Sequence, residues 1–307
     1  ENIWIALEPL PGETRQQAFG FSIGNKCYFG CGRRWQGVSA VILNDFWEYN
    51  TENGIWKRLT DFPSAGGQYS TFVINNKGYV FQNSTNALYE YDPAVNDWFM
   101  KASLPGEIKI IPIALAINNK GYIIGGSNTK TTWIYDPEQN TWSEIDHFFP
   151  RDVGFYAGFG FNISGRYFLG GGHNRDNMDA EPVQLNDFYE YDPHNEIWPD
   201  KAGVGVFESY YVTAFSLGYR GYVLDYDELY EYNPVSNEWR WVCDFPLYAK
   251  RLYPTIVSVN NLGYLFSGAY NEEIDLYTWY YTQGYEYSSW ITFDDFWVYV
   301  PPLGFNE

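Results

Sequence analysis

Six of the ten arginines in this chain stand where they could meet a ligand. Arg15, Arg151 and Arg251 each lie a few residues before a short apolar segment, and Arg33, Arg34 and Arg175 lie in long polar stretches. A guanidinium presents a planar fork of N–H donors that fits a carboxylate or another bidentate acceptor. The same fork can tie neighbouring segments together through the chain's own Asp and Glu, and the sequence leaves both roles open. Rings accompany the arginines. Trp35 follows Arg34, His173 precedes Arg175, and the run LYTWYYTQGYEYSSW at 276–290 supplies Tyr277, Trp279, Tyr280, Tyr281 and Trp290. Amphipathic rings on loops offer stacking area with little entropy to lose, as sugar- and protein-binding surfaces require. The alternative for this run is an extra hairpin about its Gln-Gly pair, with the rings packed inward.

Metal and nucleophile chemistry find less support. The three histidines, His147, His173 and His194, sit in separate connections. The segment NRDNMDAE offers Asp176, Asp179 and Glu181 to calcium, but it lacks the spaced ligands and central Gly of an EF-hand loop and reads as a solvated loop. No phosphate-binding glycine loop, zinc motif or nucleophile elbow is present. The candidate set is therefore a binding set, with no catalytic residue, metal ligand or cofactor assigned.

The elements that must position these residues follow from composition and repetition. Aromatics make up 21% of the 307 residues and charged residues only 19%, with 29 Gly, a balance that favours strands and turns over helices. A formal net charge of −19 argues against a nucleic-acid partner, because phosphates demand a basic surface. No run of about 18 apolar residues is available to span a membrane as a helix. The chain opens at Glu1 with neither Met nor a signal segment, as a processed or excised chain would. Cys27 and Cys31 lie four apart in a predicted strand, some ~13 Å at ~3.3 Å per residue, beyond the ~7 Å reach of a disulfide. Free, mostly buried thiols are expected.

One phrase recurs. Tyr49 is followed by Trp56, Tyr91 by Trp98, Tyr135 by Trp142, Tyr191 by Trp198 and Tyr232 by Trp239, always at seven residues. Turn chemistry separates each pair, as in DPAVND and NPVSNE, so each phrase is a β-hairpin. A second signature precedes it: NKCYFG, NKGYVF, NKGYII, SGRYFL, YRGYVL and NLGYLF. The unit is four strands, a to d, repeated six times. The last copy ends DDFWVYVPP without its Trp, while the N-terminal IWIALEPLP matches strand d of the first copy, IWKRLTDFP. The N-terminus is thus predicted to complete the sixth unit, which removes open sheet edges.

This pattern resembles kelch repeats, and the resemblance covers the whole chain. It implies an all-β, six-bladed kelch-type β-propeller with four antiparallel strands per blade, closed by the N-terminal strand. The expected blades are 15–60, 68–103, 110–146, 154–201, 208–244 and 251–301 plus 1–8. The six recurring tryptophans, Trp4 included, are expected to pack between blades. In such a fold the b–c and d–a loops share one face, and here the b–c loops of blades 1, 4 and 6 are long (31–46, 170–188 and 267–296). Galactose-oxidase-like propellers are similar in architecture, but the scattered histidines do not provide their copper site. A sialic-acid-mutarotase-like enzyme would need an arginine among Arg15, Arg151 and Arg251 beside a carboxylate such as Asp152 or Glu208. The leading expectation is a non-enzymatic binding or scaffolding module with a protein partner, and a glycan is the alternative ligand. The repeat style is similar to kelch domains of secreted or cell-surface bacterial proteins, which implies an extracellular or envelope location.

Overall fold

The computed structural model describes residues 2–36, 39–64, 66–107, 109–145, 148–174, 181–205, 207, 211–246, 251–270 and 291–302. Every described element is a β-strand. Six antiparallel sheets make the blades. Blade 1 consists of Phe19–Ile23, Lys26–Gly30, Phe46–Asn50 and Ile55–Arg58, paired in that order. Blades 2, 3 and 5 repeat this up-and-down order from Tyr69, Ile113 and Thr213. In blade 6, Thr255–Val259, Leu262–Phe266 and Phe296–Val300 are completed by Ile3–Leu7, with Trp4 opposite Tyr299. That is the register of Tyr49 with Trp56 and of Tyr91 with Trp98, so the ring closes as the sequence predicts.

Blade 4 departs from the four-strand pattern. Its sheet holds three strands, Phe159–Ile163, Arg166–Gly170 and Phe188–Tyr191. Strand d is reduced to two isolated bridges, Tyr189 with Asp200 and Asp192 with Ile197. Pro199 explains the loss, because it has no N–H to give; its carbonyl still accepts from the Glu190 N–H at 3.1 Å.

The blades are joined by the repeated residues. Trp98 is buried, and the other five tryptophans are half-buried with their rings against the cores between blades. The indole N–H reaches one blade back: Trp56 donates to Glu8 O, Trp98 to Thr60 O, Trp142 to Ala102 O and Trp239 to Ala202 O, at 2.7–3.1 Å. Each acceptor lies four residues beyond the preceding tryptophan of the series. An asparagine two residues before the tryptophan makes a second link. Asn96, Asn140 and Asn237 each accept the hydroxyl of their own Tyr91, Tyr135 or Tyr232 and a backbone N–H of the previous blade. All three stand at positive φ, which asparagine tolerates better than most residues. Asn237→Ala should therefore cost about 2–3 kcal/mol, from two lost acceptor contacts and a left-handed alanine, read as a lower urea midpoint at unchanged m-value.

The glycine of the NKGY signature has a steric purpose. A Cβ on Gly78 would stand 2.3 Å from the Phe21 ring, on Gly121 2.4 Å from Phe72, and on Gly221 2.2 Å from Phe161. In each case the ring comes from strand a of the preceding blade. Where that strand-a residue is Val257, the recipient position carries Cys27 in the same core cluster. Ring size and recipient size vary together around the propeller.

Candidate functional site

The three arginines that precede strand a are buried, with at most 6% of their surface exposed. Each is engaged in the same way. Arg15 forms a two-pronged pair with Asp45 at 2.6 and 2.7 Å and donates to Cys31 O at 3.0 Å. Arg151 pairs with Asp187 at 2.6 and 2.7 Å and donates to Gly171 O at 2.8 Å. Arg251 pairs with Asp295 at 2.6 and 2.8 Å and donates to Ser267 O at 2.8 Å. The carbonyl starts the long b–c loop of its blade and the aspartate ends it. One guanidinium thus holds together both stems of a loop whose closure is entropically unfavourable. The arrangement occurs in blades 1, 4 and 6, which carry the long loops, and all three aspartates lie in an NDF or DDF phrase. In a mutarotase-like site these guanidiniums would face a substrate; here each has its own carboxylate. Asp152 is exposed, and Glu208 lies outside the described residues.

The backbone beyond strand b enables this geometry. Cys31 and Gly32, Gly125 and Gly126, Gly171 and Gly172, and Ser267 and Gly268 all have positive φ. Two successive left-handed residues turn the chain out of the sheet, a step easiest for glycine. In blades 2 and 5, strand b instead runs straight on to Gln82 or Asp225 and into a tight turn, so the double glycine is not needed.

Above each clamp the loop becomes a hairpin. Arg33–Gln36 pairs with Ser39–Ile42 in blade 1, His173–Asn174 with Val183–Gln184 in blade 4, and Ala269–Tyr270 with Ile291–Thr292 in blade 6. The residues next to the clamps bind the roots: Gln16 bridges Arg33, Tyr156 bridges His173 and Leu252 bridges Ala269. The segment before strand a of blade 1 reaches hairpin 6, with Thr14 Oγ1 2.8 Å from Thr292 Oγ1. Each hairpin exposes an aliphatic residue on its returning strand, Ile42 at 41%, Val183 at 60% and Ile291 at 52%. The sequence reading missed these three, because single aliphatics inside polar loops give no periodic signal.

The remaining candidates divide by position. Arg33 lies over the Trp35 ring at 5.4 Å, and Arg34 Nε is 3.3 Å from a Glu13 carboxylate oxygen. His173 is buried at the root of hairpin 4, with its ring 5.9 Å from that of Tyr156. His194 is exposed in a c–d turn. Arg175, Tyr277, Trp279, Tyr280, Tyr281 and Trp290 lie outside the described residues, as do His147, Asp176 and Asp179. Among the described residues, no group of three His, Cys, Asp or Glu side chains is placed to hold a metal ion. Cys27, Cys31 and Cys243 are free thiols, and burial pushes all three above their ordinary pKa.

Comparison with known proteins agrees with this architecture. A family model described as the Kelch motif matches residues 114–146. Kelch-like protein 23 of Pongo abelii is 25% identical over 217 residues, 66% of this chain and 37% of that protein. Kelch-like protein 24 of Rattus norvegicus is 25% identical over 247 residues, 63% of this chain and 38% of that protein. The chain thus spans little more than a third of the length of these relatives. N-acetylneuraminate epimerase of Shigella flexneri is 34% identical over 94 residues, 28% of this chain and 25% of the enzyme. With its six blades, its repeated Tyr-Trp hairpins and a kelch-motif match over one of them, the chain is a six-bladed β-propeller whose repeats are kelch-like.

Proposed function

We propose that this propeller is a non-enzymatic interaction module that docks a protein partner on the face bearing the three long hairpins. The observation that carries this reading is the set of arginine-clamped hairpins, each exposing one aliphatic residue. A rigid scaffold holding variable loops is the usual arrangement of a binding surface, and anchors of this kind gain most when they are held in place beforehand. The kelch-like relatives support an interaction propeller in kind. The finer reading is a place in an extracellular or bacterial-envelope assembly, and it rests on the style of the repeats.

The test is a cross-linked pull-down from source cells, comparing the intact chain with the triple variant I42D/V183D/I291D. These positions are exposed, so the variant should keep the parent's Tm within about 2 °C. One protein retained by the parent and lost with the variant is the expected result. Equal retention by both would move the docking surface elsewhere. Failure of the parent to retain any protein would leave carbohydrate binding as the better reading, and the short stretch similar to an epimerase makes glycan arrays the next experiment.

A further inference from the structure

Strand d is the outer edge of every blade, and the outward N–H and C=O groups of an edge can pair with another strand. Charge or proline blunts five of the six edges. Lys57 and Arg58 lie on that of blade 1, Asp97 on blade 2, Glu144 on blade 3, and Glu238, Arg240 and Asp244 on blade 5, while blade 4 has Pro199 and Asp200. The edge of blade 6 has neither. Its strand, Ile3–Leu7, reads IWIAL, and Ile3 and Ile5 are each 45% exposed. Among the described residues, Phe296–Val300 is its only strand neighbour.

The direction of the outward backbone groups follows from the repeat. Leu59 N donates to Phe46 O at 2.8 Å, and Lys101 N to Leu88 O at 2.9 Å. Bonded and unbonded pairs alternate along an antiparallel ladder, so Trp56 opposite Tyr49 and Trp98 opposite Tyr91 turn their N–H and C=O outward. Trp4 holds the same place opposite Tyr299, so Trp4 and Ala6 present theirs at the edge of blade 6. The Trp4 ring is fixed against Phe245, 5.0 Å away, and Ile3, Ile5 and Leu7 project to the other face of the strand.

We infer that a second copy of this chain pairs with this edge, antiparallel about a two-fold axis at Ile5, so that the two sheets of blade 6 become one. The strand is complementary to itself in that register. Trp4 meets the second copy's Ala6 and Ala6 meets its Trp4, so every outward N–H of these residues finds an outward C=O. Ile5 meets its own counterpart and Ile3 meets Leu7, which makes one apolar row. Glu8 falls opposite Asn2, so no like charges face each other from Asn2 to Glu8. A two-fold contact closes on itself and stops at two copies. Five residues a side bury less than a permanent dimer requires, and each copy carries a net charge of −19, so the dimer is weak and strengthens with salt. The inference is independent of protein docking through Ile42, Val183 and Ile291, which sit on the hairpins.

The test is sedimentation of the whole chain from about 5 to about 500 µM in about 0.5 M NaCl, where repulsion between the copies is screened. The mass of the parent should rise with concentration toward twice that of one chain. Ile5→Lys and Ile5→Glu each set like charges on the axis and should weaken association at least about tenfold, whereas an equal mixture of the two should recover it as a heterodimer. Recovery in the mixture also separates lost pairing from lost folding. Ala6→Pro removes only an outward N–H and should weaken association at least about tenfold while the blade stays intact. The triple variant I42D/V183D/I291D should dimerise as the parent does. The inference is overturned if the parent stays a monomer throughout, if Ile5→Lys or Ala6→Pro associates as the parent does, if the mixture fails to recover the dimer, or if the triple variant loses it.

Discussion

Replacing Arg15 with methionine should destabilise the propeller by about 3–5 kcal/mol, the range seen when one partner of a buried ion pair is removed. Arg15 is fully buried and its partner Asp45 nearly so, with 13% of its side chain exposed. The variant would leave the carboxylate with the Trp47 N–H, 2.7 Å away, as its remaining side-chain donor. It would also leave Cys31 O without its 3.0 Å bond. The double variant R15M/D45N should recover part of the loss, because the stranded charge then disappears with its partner. A pH dependence accompanies the prediction. Burial tends to raise the Asp45 pKa, but the hydrogen bonds and charge of Arg15 with the Trp47 N–H outweigh it, and the net shift is downward. A carboxyl depressed in the folded state stabilises the fold above its unfolded pKa of about 3.9, and that stability is lost as pH falls through the lower folded value. Urea midpoints measured from pH 6 downward should therefore fall steeply in the parent below about pH 4 and less steeply in R15M. A cost for R15M below about 1 kcal/mol would show that the clamp does not bear on the fold.

Gly221→Val should be comparably severe. Even a Cβ at this position would lie 2.2 Å from the Phe161 ring, which is itself 5% exposed and surrounded by Phe168, Phe188 and Trp239. Overpacking commonly costs about 1–3 kcal/mol, and three added carbons against an immobile ring of another blade should reach about 4 kcal/mol. The companion variant F161A opens the space from the other side. By itself it should cost about 3–5 kcal/mol through the cavity it leaves. In combination with G221V the two should be clearly sub-additive, with a coupling of about 1–3 kcal/mol. Strict additivity would mean that the ring and the glycine do not meet.

The ring architecture was legible because its signals are local and repeated. Tyr91 and Trp98 are seven apart and face each other in one hairpin, so the spacing in the chain is the contact in space. The closure by Ile3–Leu7 was legible through the phrase it shares with blade 1. The role of the arginines was not. Arg15 and Asp45 are separated by 30 residues, Arg151 and Asp187 by 36, and Arg251 and Asp295 by 44, and no periodic pattern links them. A trace was present all the same, since blades 1, 4 and 6 each carry an arginine before strand a, a long b–c loop and an aspartate just before the Phe of strand c. The shortened strand d of blade 4 was announced by one residue, Pro199, whose missing donor the repeat pattern overrode in the reading.

The way the ring closes also sets how it answers mechanical load. Ile3 lies opposite Val300 and Leu7 opposite Phe296, so the two strands of the seam leave blade 6 at the same corner. Force applied between residues 3 and 300 would peel this antiparallel pair from one end, breaking its hydrogen bonds in succession rather than together. The propeller should yield at that seam first, while the other five blades, each covalently continuous from strand a onward, remain folded. Tension entering through a single end would spare the seam.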